Sequence, residues 1–203
     1  MTGPYGDDAS LYLEEILGSE VAAPQTGRAY GGQSHQVELV GLHLRLSGFI
    51  HTGHFRRLSD FVNNQDGLLR VSDALVLRRN GDPTRVSMPD VWIAPAEVTL
   101  IAEMDVEAAP PSPDFMMRKE PVGMIVVTPG HTLTGQVHIP PDAQLSVFIE
   151  SPDPHFIPMI DVRTRSLADR RVITRYPFAL LNRRHIVAAS PLSEGLIPGN
   201  RVL

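Results

Sequence analysis

The chain has 203 residues, 42% apolar content and a net charge of −5, which leaves room for one large domain or two small ones. It contains no cysteine, so disulfides, thiolate metal sites and a cysteine nucleophile are excluded. Eighteen prolines and sixteen glycines favour short strands and turns over long helices, and the acidic balance fits poorly with a dedicated nucleic-acid binder.

Residues 1–35 carry one Arg against five acidic residues. Within them, Asp8 or Ser10 can cap a short helix that Gly18 can end. Leu13, Ile16 and Leu17 share one face of it, with Glu14 and Glu15 turned to water. The Ala-, Gly-, Pro-, Gln- and Ser-rich stretch from Val21 to Ser34 reads as a tether. A short apolar-faced helix on a tether either packs on its own body or docks in a partner's groove. The opening residues lack the basic and apolar regions of a secretory signal, and no apolar run approaches the roughly 18 residues of a membrane span. A cytoplasmic protein that does not contact membranes is expected.

Strand signals begin at Gln36. Val37–Val40 and Leu42–Leu46 alternate apolar and polar residues, and Gly48–Thr52 continues as strand, with Gly48 marking a bulge or a close backbone approach. Arg57–Asn63 spaces Leu58, Phe61 and Val62 as one short helical turn. Leu68–Arg78 and Thr84–Ile93 then form a hairpin about Asn80-Gly81, a type I′ turn signal, and Glu97–Met104 is the last strand of this half. Ala108–Asp114 is a Pro-rich connector.

The pattern then recurs. Gly48-Phe49-Ile50-His51 and Leu58-Ser59 reappear, 87 positions on, as Gly135-Gln136-Val137-His138 and Leu145-Ser146. After one inserted residue, Asp73, Pro89 and Ile93 fall over Asp161, Pro177 and Leu181. We read a tandem duplication of a small five-stranded, strongly bent β-barrel, preceded by a short N-terminal helix, because a closed sheet leaves little edge exposed. The expected organisation is 1–35 helix and linker, 36–106 first barrel, 107–118 Pro-rich linker, 119–190 second barrel and 191–203 tail. In strand number, strand length and hairpin position each unit resembles Sm-like and SH3-like small barrels. The segment Arg57–Asn63 resembles one found in uncharacterised bacterial proteins. Neither resemblance implies a chemistry. Pro89 and Pro177 interrupt the returning strands, so those strands are expected to be bulged or to lie at an edge open to another subunit.

No reaction is legible. His43, His51 and His54 lack metal-ligand spacing, and His51 and His138 recur as if filling one structural slot. The serines lie outside a nucleophile elbow, and the glycines form no phosphate loop. Asp73 and Asp161 read either as a carboxylate pair or, more simply, as a requirement of the fold repeated in both copies. We expect no enzyme activity, no cofactor and no metal.

The remaining signal is basic. Arg163, Arg165, Arg170, Arg171 and Arg175 cluster about the second copy's central hairpin, with Tyr176 among them, and Arg183 and Arg184 follow. This suits a protein contact or a single-stranded nucleic-acid groove, and the acidic total favours protein. The expected function is a non-enzymatic adaptor or assembly protein that binds other proteins, or itself. Its contact residues would be Leu13, Ile16 and Leu17 on the helix, and Arg163, Arg165, Arg170, Arg171, Arg175 and Tyr176 on the body. The alternative is an RNA- or single-strand-binding protein using the arginine hairpin.

Overall fold

The computed structural model describes residues 33–78, 85–104, 119–169 and 171–192. The expected N-terminal helix, the Asn80-Gly81 turn, the Pro-rich linker and the last eleven residues lie outside them.

Alternating apolar and polar residues build the first half. β1 (Ser34–Gly41) and β2 (Leu44–His51) send Val37, Leu39, Leu46 and Ile50 into one core, the period-two spacing of a strand. On β1, Glu38 and Val40 turn to the other side, where Glu38 is also buried and Val40 packs against the second core. The short helix α1 (Leu58–Asn63) buries Leu58 and Val62. Strands β3 (Leu69–Arg78), β4 (Arg85–Ile93) and β5 (Val98–Glu103) complete this half, with a 3-10 turn at Pro95–Glu97 before β5. The second half consists of β6 (Glu120–Val127), β7 (His131–Ile139), α2 (Leu145–Glu150), β8 (Phe156–Ser166), β9 (Ile173–Asn182), a 3-10 turn at Arg183–His185 and β10 (Ala188–Pro191).

Among the described residues, ten strands are antiparallel neighbours in one unclosed sheet, ordered β10-β6-β7-β8-β9-β5-β1-β2-β3-β4. The two halves have the same internal order, β5-β1-β2-β3-β4 and β10-β6-β7-β8-β9. They meet where β5 pairs with β9, Leu100 opposite Leu181 and Ile101 opposite Leu180. The result is one continuous sheet rather than two separately closed barrels. Pro191, expected in the tail, pairs with Met124 as the end of β10.

Each half bends at a matching place. Between Ser47 and Phe49 the β2–β3 register slips by one, so Gly48 stands opposite two residues of β3. The same slip falls at Gly135 between β7 and β8. Asp73 (φ 47°) and Asp161 (φ 51°), on the partner strands, take the left-handed conformation that Asp tolerates better than most residues. Pro89 and Pro177 lie across from these aspartates, at the one rung missing from each β3–β4 and β8–β9 ladder. A residue without an N–H therefore sits where no bond is made. Such a bulge sharpens strand bending, which lets each half curl over its own core.

The two cores interlock. Phe156 and Leu180, from the second half, join the cluster around Leu39, Leu46, Ile50, Leu58 and Val71. In return Leu100 and Ala102, from β5, join the cluster around Met124, Leu133, Val137, Met159 and Leu181.

Candidate functional site

The β8–β9 hairpin collects the arginines. Side chains on paired strands face the same way when they are direct partners, and Arg163 is the partner of Arg175 while Arg165 is that of Ile173. Val162, Thr164 and Tyr176, the residues between, are buried. Arg165 and Arg175 are exposed and Arg163 is half-buried. Thr132 and Thr134 on β7, opposite Arg165 and Arg163, extend this face. Leu167, Val172 and Ile173 expose large apolar surface at the hairpin's end. Arg171 is also exposed, and its backbone N–H donates to Asp169 Oδ1 at 3.0 Å. None of Arg163, Arg165, Arg171 and Arg175 is in an ion pair among the described residues. Two guanidinium groups directly across a ladder repel each other, so this face attracts anionic groups. Arg170 lies outside the described residues, as do Leu13, Ile16 and Leu17.

Tyr176 does not belong to this surface. Strand alternation sends it inward, where its hydroxyl donates to Glu38 Oε1 at 3.1 Å. Arg45 Nε donates to the same oxygen, so a carboxylate from β1 is held between a cation on β2 and a phenol on β9. Burial, followed by the Glu38 charge, pushes the Tyr176 phenol well above the ordinary tyrosine value. Burial acts to lower the Arg45 value, but the bond to Glu38 and its charge outweigh this and raise it. Arg183 is likewise structural. Its guanidinium donates to the carbonyls of Phe148 at 2.7 Å, Ile149 at 2.6 Å and Pro154 at 3.0 Å, which closes the C-terminal end of α2. Burial lowers its pKa, against the pull of Asp153.

The histidine and aspartate candidates separate in the same way. His51 Nε2 lies 2.9 Å from Ser72 Oγ, whereas His138 is exposed, so the two share a strand position without sharing an environment. Asp73 and Asp161 are exposed bulge residues, and their backbone conformation accounts for both without a carboxylate pair. Among the described residues no group of three or more His, Asp or Glu lies close enough to hold a metal ion, and no helix is long and apolar enough to cross a membrane.

Sequence reasoning missed the seam between the halves. Asn63 on α1 bonds both backbone groups of Phe156. Asn182 Nδ2 donates to the carbonyls of Pro95 at 3.0 Å and Val98 at 2.8 Å. His185 lies 2.7 Å from both Thr99 Oγ1 and the Ala96 carbonyl. The available signal was disagreement between the halves: aligned at the same offsets, Asn63, Asn182 and His185 stand against Glu150, Ala94 and Glu97. Comparison with protein-family models, curated proteins and solved structures finds no match to this chain.

Proposed function

We propose that this is a non-enzymatic adaptor or assembly protein whose body is a tandem pair of small, strongly bent five-stranded units of the Sm-like or SH3-like kind. The common strand order, the matched bulges at Gly48 and Gly135 and the paired aspartates support reading the halves as copies. The observation that carries the function is the β8–β9 face, where Arg163, Arg165 and Arg175 stand beside exposed Ile173, Val172 and Leu167. Arginine beside apolar surface is the composition of protein interfaces, and the clustered charge selects an acidic partner segment. The N-terminal segment, through Leu13, Ile16 and Leu17, supplies the second contact.

A single-stranded nucleic acid would use the same arginines, but it also needs aromatic rings on which bases stack. Tyr176 is buried and Phe178 packs on the first core, which favours protein. The test is affinity capture from native cells with the full chain, a chain lacking residues 1–34, and the Arg163→Glu/Arg175→Glu variant. Each change should remove a defined protein while the body stays folded. Identical protein sets from all three baits would overturn the reading. Salt-sensitive binding of single-stranded RNA that the arginine variant abolishes would replace it with the nucleic-acid alternative.

A further inference from the structure

Among the described residues the sheet ends in β4 on one side and β10 on the other, and together these strands have the form of the junction in its middle. Inside the chain, β9 of the second half pairs with β5 of the first. At the 88-residue offset that superposes Asp73 on Asp161, β4 corresponds to β9 and β10 to β5. Among the described residues, no further strand pairs with β4 beyond β3 or with β10 beyond β6. One end of the sheet thus presents the strand that the other end is shaped to receive.

Side-chain exposure follows the correspondence. Leu180 is fully buried at the internal junction, and its counterpart Trp92 is 57% exposed. Phe156 is 3% exposed and its counterpart Leu68 is 52% exposed; Thr99 is 4% exposed and its counterpart Val187 is 68% exposed. Three positions covered inside the chain thus become large exposed apolar residues at its ends. Soluble proteins rarely leave an open strand edge and apolar side chains together without covering them.

We propose that the occupant of each end is a second copy of this chain, joined head to tail by pairing β4 of one molecule with β10 of the next. The proposal rests on reading the two halves as copies, and it names a partner for the assembly function. The internal junction sets the register: Ile93 opposite Ala188, Trp92 opposite Ala189, Val91 opposite Ser190 and Asp90 opposite Pro191. The central pair is complementary in size. Inside the chain Ile101 meets Leu180; between chains Ala meets Trp, a small residue against a large one with a similar total volume, the kind of exchange packed interfaces tolerate.

The external contact is weaker than the internal one. Asn63, Asn182 and His185, which bolt the halves together, have no like counterpart at the ends, and Pro191 brings no N–H to the last pair. Association is therefore reversible and concentration-dependent. Because the contact is heterologous, it repeats from copy to copy until it closes into a ring or continues as a filament.

The purified full chain tests this by sedimentation velocity and light scattering from low to high micromolar concentration. The wild type should exceed its 22.3 kDa monomer mass as concentration rises. Trp92→Lys and Ala189→Lys should each hold the protein at the monomer mass. Thermal unfolding should be unchanged for Ala189→Lys and slightly lowered for Trp92→Lys, which replaces the ring under the Arg70 guanidinium by a cation directly opposite Arg70. Trp92→Lys/Ala189→Glu, which sets opposite charges face to face across the contact, should regain association. A strictly monomeric wild type overturns the proposal, the open strands then being covered by the chain's own remaining segments or by another protein. Unchanged assembly in both lysine variants overturns it too, as does a charge-paired double variant that stays monomeric. These readings use purified protein alone, so their failure is separable from loss of the protein contacts at the arginine face.

Discussion

The side-chain amide of Asn63 binds Phe156 as a neighbouring strand would: Nδ2 donates to the Phe156 carbonyl at 3.0 Å and Oδ1 accepts from the Phe156 N–H at 2.8 Å. The two residues are 93 positions apart, so one side chain on α1 replaces a missing ladder rung at the start of β8. Phe156 itself is buried in the first core, which ties the rung to the packing of both halves.

Asn63→Ala would leave the Phe156 N–H and carbonyl without their protein partner. Unpairing groups at a partly buried site costs about 1–3 kcal/mol, a drop of several degrees in Tm for a chain of this size. Asn63→Asp keeps the acceptor but faces the Ser59 and Phe156 carbonyl oxygens, 3.0 Å from the amide nitrogen, with a charged oxygen, so it should lose at least as much as alanine. Asn64→Ala removes an exposed bond from Asn64 to the Asp60 carbonyl and should change little. Urea unfolding of the four proteins checks the order, and equal midpoints for Asn63→Ala and wild type would refute the account.

The two bulge glycines should differ in their tolerance. A Cβ on Gly48 would lie 2.6 Å from Val71 Cγ1 and 2.7 Å from the Ser72 carbonyl oxygen, and neither strand can move without breaking the ladder. At Gly135 the nearest atoms are the Ile160 carbonyl oxygen at 3.0 Å and Met159 Cε at 3.1 Å, and the second is the free end of a flexible side chain. Gly48→Ala should cost about 2–3 kcal/mol and Gly135→Ala about 1 kcal/mol, on the scale of overpacked cores. Thermal unfolding of the two variants reads the difference. A larger loss for Gly135→Ala would contradict this steric account.

The glycines, aspartates and prolines that recur in both halves show how far the fold was legible. Gly48, Asp73 and Pro89 are far apart in sequence, yet they meet at one bend, because a bulge needs a residue without Cβ, a left-handed partner and a rung without a donor. Their recurrence as Gly135, Asp161 and Pro177 writes the repeated bend into the sequence itself. The continuity of the sheet was not legible, since β5 looks the same in sequence whether it closes its own half or pairs with β9. At the candidate surface, strand alternation was enough to group Arg163, Arg165 and Arg175. It also predicts that Tyr176, one residue after Arg175, turns inward, and grouping by proximity in sequence overlooked that.

Asp73 offers a direct test of the backbone reading. At φ 47° a glycine pays no Cβ penalty, whereas a β-branched residue is strained. Asp73→Gly should therefore stay within about 0.5 kcal/mol of wild type, and Asp73→Val should lose about 1–3 kcal/mol. If the carboxylate itself were the requirement, glycine would be as harmful as valine, and equilibrium unfolding separates the two cases.

Tyr176 should make the fold sensitive to alkali. Its phenol is held neutral by burial and by the facing Glu38 carboxylate, so its pKa is higher in the folded chain than in the unfolded one. A raised value means the folded state holds the proton more tightly. The resulting stability is complete below the ordinary tyrosine pKa of 10.0 and is lost as pH rises above it. Tyr176→Phe removes this dependence, and it also leaves Glu38 with one donor fewer, at a cost of about 1 kcal/mol near neutral pH. Urea midpoints measured from pH 8 upward should therefore fall more steeply for wild type than for Tyr176→Phe, so that the wild type's advantage near neutral pH is lost in strong alkali. Absorbance at 295 nm gives an independent readout, because the wild-type minus variant difference should show one phenolate forming only above pH 10.0. Parallel stability curves, or a difference spectrum centred at or below the ordinary tyrosine value, would show that Tyr176 and Glu38 are not coupled across the seam.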